Sequence, residues 1–354
     1  MFRRRLRIAG FRDERRRRAA VVAALVAVNA ALLAAGAGRG GGDRTAARVR
    51  VGLVFDVGGL GDRSFNDAAY RGLVRAAREL GVHVQTIEPG DGSDRESALR
   101  QFASQGYDLV IGVGFIFTDD IRRLAGEFPA VRFACVDYAI APGDPPPPPN
   151  LLALRFREHE GAFVVGAIAG LETRTRVVGF VGGMNIPLIR KFEAGYTAGV
   201  RHVCPDCRVL SAYAGTDPKA FADPVKGREL ADAQYQRGAD IVFHASGKTG
   251  AGVFQAARER GRFAIGVDSD QFHEAPCCVL TSMVKKVDVA VYRAVDDVVR
   301  GRFRGGVREL GLGDDGVGFV YDDNNRDRIS PATIERVRQI EADIRAGRLE
   351  VPHR

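Results

Sequence analysis

The feature that most constrains this chain is a pattern written twice. Gly52, in a Val-Gly-Leu opening, is followed thirteen residues later by Phe65, and Gly179, in a Val-Gly-Phe opening, is followed thirteen residues later by Phe192. Further on, GYDLV at 106–110 matches GADIV at 238–242, and FACVD at 133–137 matches FAIGVD at 263–268. The gaps from Asp108 to Asp137 and from Asp240 to Asp268 are 29 and 28 residues. A repeat of this length implies one supersecondary unit used twice. Two such units facing each other would place equivalent strand ends on opposite sides of one cleft.

Within the first unit the expected elements alternate. Val51–Phe55 reads as a strand. Ser64–Leu80 reads as a helix, with Phe65, Ala69, Leu73 and Ala76 on one face, Ser64 as N-cap and Gly81 as its end. Strands at Val82–Ile87, Leu109–Val113 and Val131–Val136 alternate with helices at Asp94–Gln105 and Asp119–Glu127. Strands alternating with helices imply βαβ units and a parallel sheet. In the second half Val177–Val181 starts the same series. The tail (Val279–Met283, Val287–Arg300, Val317–Tyr321 and Pro331–Ala346) is too short for a third domain and reads as crossings between lobes. The expected partition is a leader over residues 1–48, a first lobe over 49–155 plus about 281–312, and a second over 156–280 plus about 313–351.

The net charge of +8 suggests nucleic acid, but its distribution removes that partner. Residues 1–48 hold twelve arginines against three acids, a surplus of nine, which leaves the remaining residues at −1. The folded part carries no basic footprint for a phosphate backbone. Nine of those arginines precede Ala19–Gly38, twenty residues without a charge, enough to span a bilayer with the arginines on the cytoplasmic side. This is expected to be an export signal, with Ala35-Gly36-Ala37 as a small-residue cleavage site, or a retained anchor. The expected location is the periplasm, or the outer face of the cytoplasmic membrane through residues 19–38.

In an exported protein the cysteines read as structural rather than as a metal site. Cys204 and Cys207 form a lone CxxC, which lacks the second pair that a four-ligand zinc site needs. A local structural disulfide is expected, with free buried thiols as the alternative. Other motifs fail on inspection. ASGKTGAG at 245–252 contains Gly-Lys-Thr, but Val242 stands where a phosphate loop needs its first glycine. Gly58–Gly61 does not complete a dinucleotide fingerprint. Glu158-His159-Glu160 lacks a second histidine at helical spacing and is expected to be solvated or capping. No nucleophile–base pair declares itself, so no enzyme activity, metal or cofactor is expected.

The residues that converge at the strand ends are Asp56, Phe65, Asn66, Asp137, Phe192, Asp268 and Lys285. Two facing aromatics can sandwich a planar ring. An amide and carboxylates can read the ring's edge, and a carboxylate beside a lysine can hold vicinal hydroxyls. Such a set fits a nucleoside.

Long motifs then carry a resemblance: DVGGLGDRSFND (56–67), REHEGAFVVGAIAG (157–170), FEAGYTAGV (192–200), GADIVFHASGKTGAGV (238–253), GVDSDQ (266–271) and LTSMVKKVD (280–288). Together they resemble the basic membrane protein family of periplasmic substrate-binding proteins, which includes purine nucleoside receptors of ABC importers. The resemblance implies a two-lobed, hinged type I periplasmic binding protein fold, each lobe a parallel sheet flanked by helices. It implies that Phe65 and Phe192 stack on a purine, that Asp56, Asn66 and Asp137 address the base, and that Asp268 and Lys285 hold the ribose. Gly247 would let the backbone approach the sugar. The implied partners are a nucleoside and an inner-membrane ABC permease, with the receptor a monomer. One departure stands out: family members are commonly lipoproteins, and no cysteine lies near the end of the apolar run. A membrane-anchored sensor, passing its closed state to a signalling partner, is the alternative reading.

Overall fold

The computed structural model describes residues 48–89 and 94–354. The segment expected to be a signal or anchor lies outside the described residues. Among the described residues, no helix is long and apolar enough to cross a membrane.

The first lobe runs β1 (Arg50–Val54), α1 (Phe65–Leu80), β2 (His83–Ile87), α2 (Arg95–Ser104), β3 (Leu109–Val113), α3 (Thr118–Glu127), β4 (Arg132–Val136) and β5 (Leu151–Phe156). The chain then crosses into α4 (Glu158–Glu172), β6 (Val177–Met184), α5 (Pro187–Val203), β7 (Arg208–Gly215), α6 (Pro224–Gln236), β8 (Ile241–Ala245), α7 (Gly250–Arg260), β9 (Phe263–Asp268) and β10 (Val279–Lys285). It returns for α8 (Val287–Val299) and β11 (Gly306–Leu310), and crosses a third time to β12 (Val317–Phe319) and α9 (Pro331–Arg345).

Each lobe holds one six-stranded sheet, and the two orders are equivalent: β2-β1-β3-β4-β5-β11 and β7-β6-β8-β9-β10-β12. The repeat in the sequence is therefore a repeat in register. Gly52 sits beside Val110 in the first sheet, and Gly179 beside Val242 in the second. All pairings are parallel except β10 with β12. The central strands β3 and β8 are apolar runs buried at every position, as a parallel sheet covered on both faces requires.

The strand Val279–Lys285 belongs to the second sheet, so the second crossing falls at Lys286, later than the boundary expected near residue 281. The three crossings lie side by side and are laced together. Arg157 N–H donates to the Leu310 carbonyl (2.9 Å) and Lys286 N–H to the Gly316 carbonyl (2.9 Å). Leu312 N–H donates to Glu160 Oε2 (2.7 Å). Glu160 is thus a buried hinge acceptor rather than the solvated or capping residue expected from its sequence neighbourhood. Cys204 and Cys207 are joined by a disulfide across the turn between α5 and β7.

Helix α4 is buried nearly all round and carries no amphipathic period. It packs on α5 with backbones in contact. A Cβ at Gly166 would overlap the Tyr196 carbonyl, and one at Gly199 would overlap the Phe163 carbonyl. Gly199→Val should therefore push the helices apart and cost about 1–3 kcal/mol, read as a lower urea midpoint with an unchanged slope. An unchanged midpoint would contradict the close packing.

Candidate functional site

Parallel strands in register bring their carboxyl ends to one edge of each sheet, where ligands of open α/β folds sit. Here the two edges face each other across a narrow cleft with a cavity of about 60 Å³. Asp56, Phe65, Asn66, Asp137, Phe192, Gly247, Asp268 and Lys285 all line it. They come from the ends of β1, β4, β8, β9 and β10 and from helices α1 and α5.

The symmetry extends to the backbone. Asp137 (φ 60°) and Asp268 (φ 64°), at equivalent strand ends, both occupy the left-handed region. Few non-glycine residues adopt it, and such positions concentrate at functional sites. Gly247 (φ 55°) turns the chain after β8 in the same region. The aromatic pair is less symmetric than its spacing suggests. Phe65 opens α1, but Phe192 sits well inside α5, which starts at Pro187 because β6 runs on to Met184.

Lys285 is the centre of the site. It is 2% exposed, and its Nζ lies 2.7 Å from Asp137 Oδ2 and 3.6 Å from Glu158 Oε1. The ammonium also lies 4.9 Å from the Phe65 ring centroid, 5.2 Å from that of Phe156 and 5.6 Å from that of Phe192, within cation–π range. Burial works against its charge, but Asp137, Glu158 and Asp268 outweigh that and hold its pKa above the usual lysine value. Lys285 pairs directly with Asp137, whereas Asp268 bonds Ser64 across the cleft (2.8 Å). Glu158, expected to be solvated or capping, is 1% exposed and bonds Lys191 Nζ (3.1 Å) as well as facing Lys285.

The carboxylates outnumber the cations. Desolvation pushes Asp56 up to about 7, with Asp137 and Asp62 adding to the rise. Desolvation also raises Asp268 to about 6, against the pull of Lys285 and Ser64. Asp137 Oδ1 is buried without a hydrogen-bond partner among the described residues. The cavity therefore offers buried acceptors between aromatic faces. Among the described residues no cluster of three or more His, Cys, Asp or Glu side chains could hold a metal.

The start of α1 is built differently from the expectation. The cap is Asp62, whose carboxylate accepts the N–H groups of Ser64 (2.9 Å), Asn66 (2.8 Å) and Asp67 (3.1 Å). Ser64 makes no side-chain cap and instead reaches the other lobe. Asn66 spends its amide locally, accepting from Asp56 N–H (2.9 Å) and donating to Asp62 Oδ2 (3.0 Å). It holds the Asp56 loop against α1. Further links close the rim: Arg71 donates to Ser269 Oγ (2.8 Å), and Ser269 Oγ donates to the Ser64 carbonyl (3.0 Å). The pattern reading missed Asp62, Phe115, Phe221 and Ser246, which also line the cavity. Asp62, three residues before Phe65 in the repeat segment, had a legible signal as an alternative cap.

Residues 49–354 match the family described as Bmp, ABC transporter substrate-binding protein PnrA-like. The chain is 31% identical, over 86% of its length and 89% of the other's, to the ABC transporter nucleoside-binding protein BmpA of Lactococcus lactis subsp. cremoris. It is 37% identical to a lipoprotein of Pyrococcus abyssi, over 79% of this chain and 72% of that protein. The crystal structure of an ABC transporter solute-binding protein from Aeropyrum pernix K1 superposes with a TM-score of 0.77 at 32% identity, covering 86% of this chain and 94% of that one.

The raised Asp56 pKa fixes the sign of a pH effect. Between about pH 4 and 7 the folded protein keeps a proton that the unfolded chain, with Asp near 3.8, has released. Ionising Asp56 therefore costs stability as pH rises. His159 and His244, both depressed by burial to about 4, act in the opposite direction below their unfolded pKa of 6.5. Asp56→Asn isolates the carboxylate: its thermal midpoint should gain on that of the natural protein as pH rises from 5 to 8. A difference that stays flat or shrinks would contradict the assignment.

Proposed function

The chain belongs to the Bmp family of PnrA-like substrate-binding proteins of ABC transporters, and on that premise we propose that it captures a nucleoside with a purine base and delivers it to an inner-membrane permease. The family is one of ABC transporter substrate-binding proteins, not of enzymes. The finer reading rests on one observation. Asp137 Oδ1, buried and without a hydrogen-bond partner among the described residues, lies beside the Lys285 ammonium, which faces phenylalanines of both lobes. An aromatic slot with buried acceptors suits a flat, hydrogen-bonding heterocycle carrying hydroxyls.

In this proposal Phe65 and Phe192 take the base faces and Asp56 and Asp137 its edge. Asp268, Lys285 and the Gly247 turn take the sugar, and Asn66 keeps the Asp56 loop in place. The nucleoside-binding relative from Lactococcus lactis supports the ligand class. The protein acts as an exported monomer, held at the membrane through residues 19–38. The lipoprotein relative from Pyrococcus abyssi supports a tethered mode of action.

Calorimetry of the chain against adenosine, guanosine and inosine tests the ligand. A dissociation constant well below millimolar, where binding is worth only about −4 kcal/mol, is expected for at least one. Phe65→Ala and Phe192→Ala should each weaken it by about 1–3 kcal/mol, the scale of base–aromatic stacking. Unchanged affinity in both variants would return the two rings to a packing role.

A further inference from the structure

Behind one wall of the cavity runs a hydrogen-bond relay whose direction is fixed atom by atom. Gln271, 3% exposed, accepts the Val267 N–H through Oε1 (2.7 Å) and donates through Nε2 to the Arg63 carbonyl of the other lobe (3.3 Å). A backbone N–H only donates and a backbone carbonyl only accepts, so both ends of the amide require the same orientation. His244 Nε2 lies 3.1 Å from that Oε1, so Nε2 carries the imidazole proton. The ring is fully buried, edge-on to Phe254 with centroids 5.1 Å apart, and burial keeps it neutral at physiological pH. Its Nδ1 is then a bare lone pair. Ser246 Oγ, 3.2 Å away, donates its proton to that lone pair. Ser246 is 1% exposed and lines the cavity.

We propose that Ser246 is a specificity-determining residue that presents only acceptor lone pairs to the ligand, because the Gln271–His244 relay commits its proton to the wall. The site then demands a hydrogen-bond donor at that point. Under the nucleoside reading, on which this inference rests, the donor is a sugar hydroxyl. A ligand lacking it leaves buried lone pairs unsatisfied, and one offering only an acceptor there is no better. Gln271 and His244 are positioning residues. They never touch the ligand, and they set the polarity of the group that does.

The test uses the full chain and whichever of adenosine, guanosine or inosine binds tightest. Analogues carry hydrogen, and separately fluorine, in place of each sugar hydroxyl in turn. At one hydroxyl position both replacements should weaken binding about ten-fold, since fluorine cannot donate. Ser246→Ala should abolish that discrimination and leave the ratios at the other positions intact. Fluorine restoring affinity at every position where hydrogen does not, or Ser246→Ala leaving every ratio unchanged, would overturn the proposal. Nitrogen-15 spectra of His244 give a second readout that packing alone would not set: the Nε2–H tautomer is expected, and the Nδ1–H tautomer overturns the relay. If no nucleoside binds the natural chain, the ligand reading fails and this inference with it. A nucleoside that binds indifferently to all its hydroxyls overturns the inference alone.

Discussion

A single buried ammonium ties this molecule together. Lys285 ends β10 in the second lobe, immediately before the chain crosses at Lys286. Its direct partner, Asp137, follows β4 in the first lobe, and its other carboxylate neighbour, Glu158, opens α4 just after the first crossing. Both strand edges and two hinge strands thus meet at one charge. Taking that charge out of water is costly unless carboxylates and hydrogen bonds surround it. Here two carboxylates and three aromatic rings do so. Removing one member leaves the others buried and uncompensated, which is why the site and the hinge depend on each other.

The surplus of acceptors around that charge would let a cleft of the proposed function both recognise a ligand and respond to it. Asp56, Asp137 and Asp268 stand against Lys285, and desolvation raises all three pKa values. A ligand donating hydrogen bonds relieves what burial imposes. Because Asp268 already bonds Ser64 of the opposite lobe, donors bound there engage a contact that exists only with the lobes together. Under the proposed function, recognition and closure would share atoms, as a hinged binding protein requires.

Much of this was legible in the sequence, and the reasons for the rest are specific. The thirteen-residue echo and the paired aspartates pointed to two repeated lobes, because parallel strands carry their register into space; the seven residues read at the strand ends line one cavity, as does Gly247, which only the family resemblance supplied. Helix α4 escaped pattern reading because a helix buried on every side has no amphipathic period. Glu158 was misread because a charged residue at a helix start resembles a solvated cap until its partners Lys191 and Lys285, distant in sequence, are known. Ser64 occupies the position a capping serine would hold, yet Asp62 two residues earlier takes the cap and frees the Ser64 hydroxyl. The His244–Gln271 relay left no local signature at all. Its members are 27 residues apart and meet only through adjacent strand ends.

A double-mutant cycle on Lys285 and Asp137 tests the central claim most directly. Unfolding free energies would be measured for Lys285→Met, Asp137→Asn and the pair. Lys285→Met alone is expected to cost about 3–5 kcal/mol, the scale for stranding a buried charge. Adding Asp137→Asn should recover part of that loss, a coupling of at least about 1 kcal/mol. Two effects that simply add, within about 0.5 kcal/mol, would show that the ammonium does not bind the lobes together.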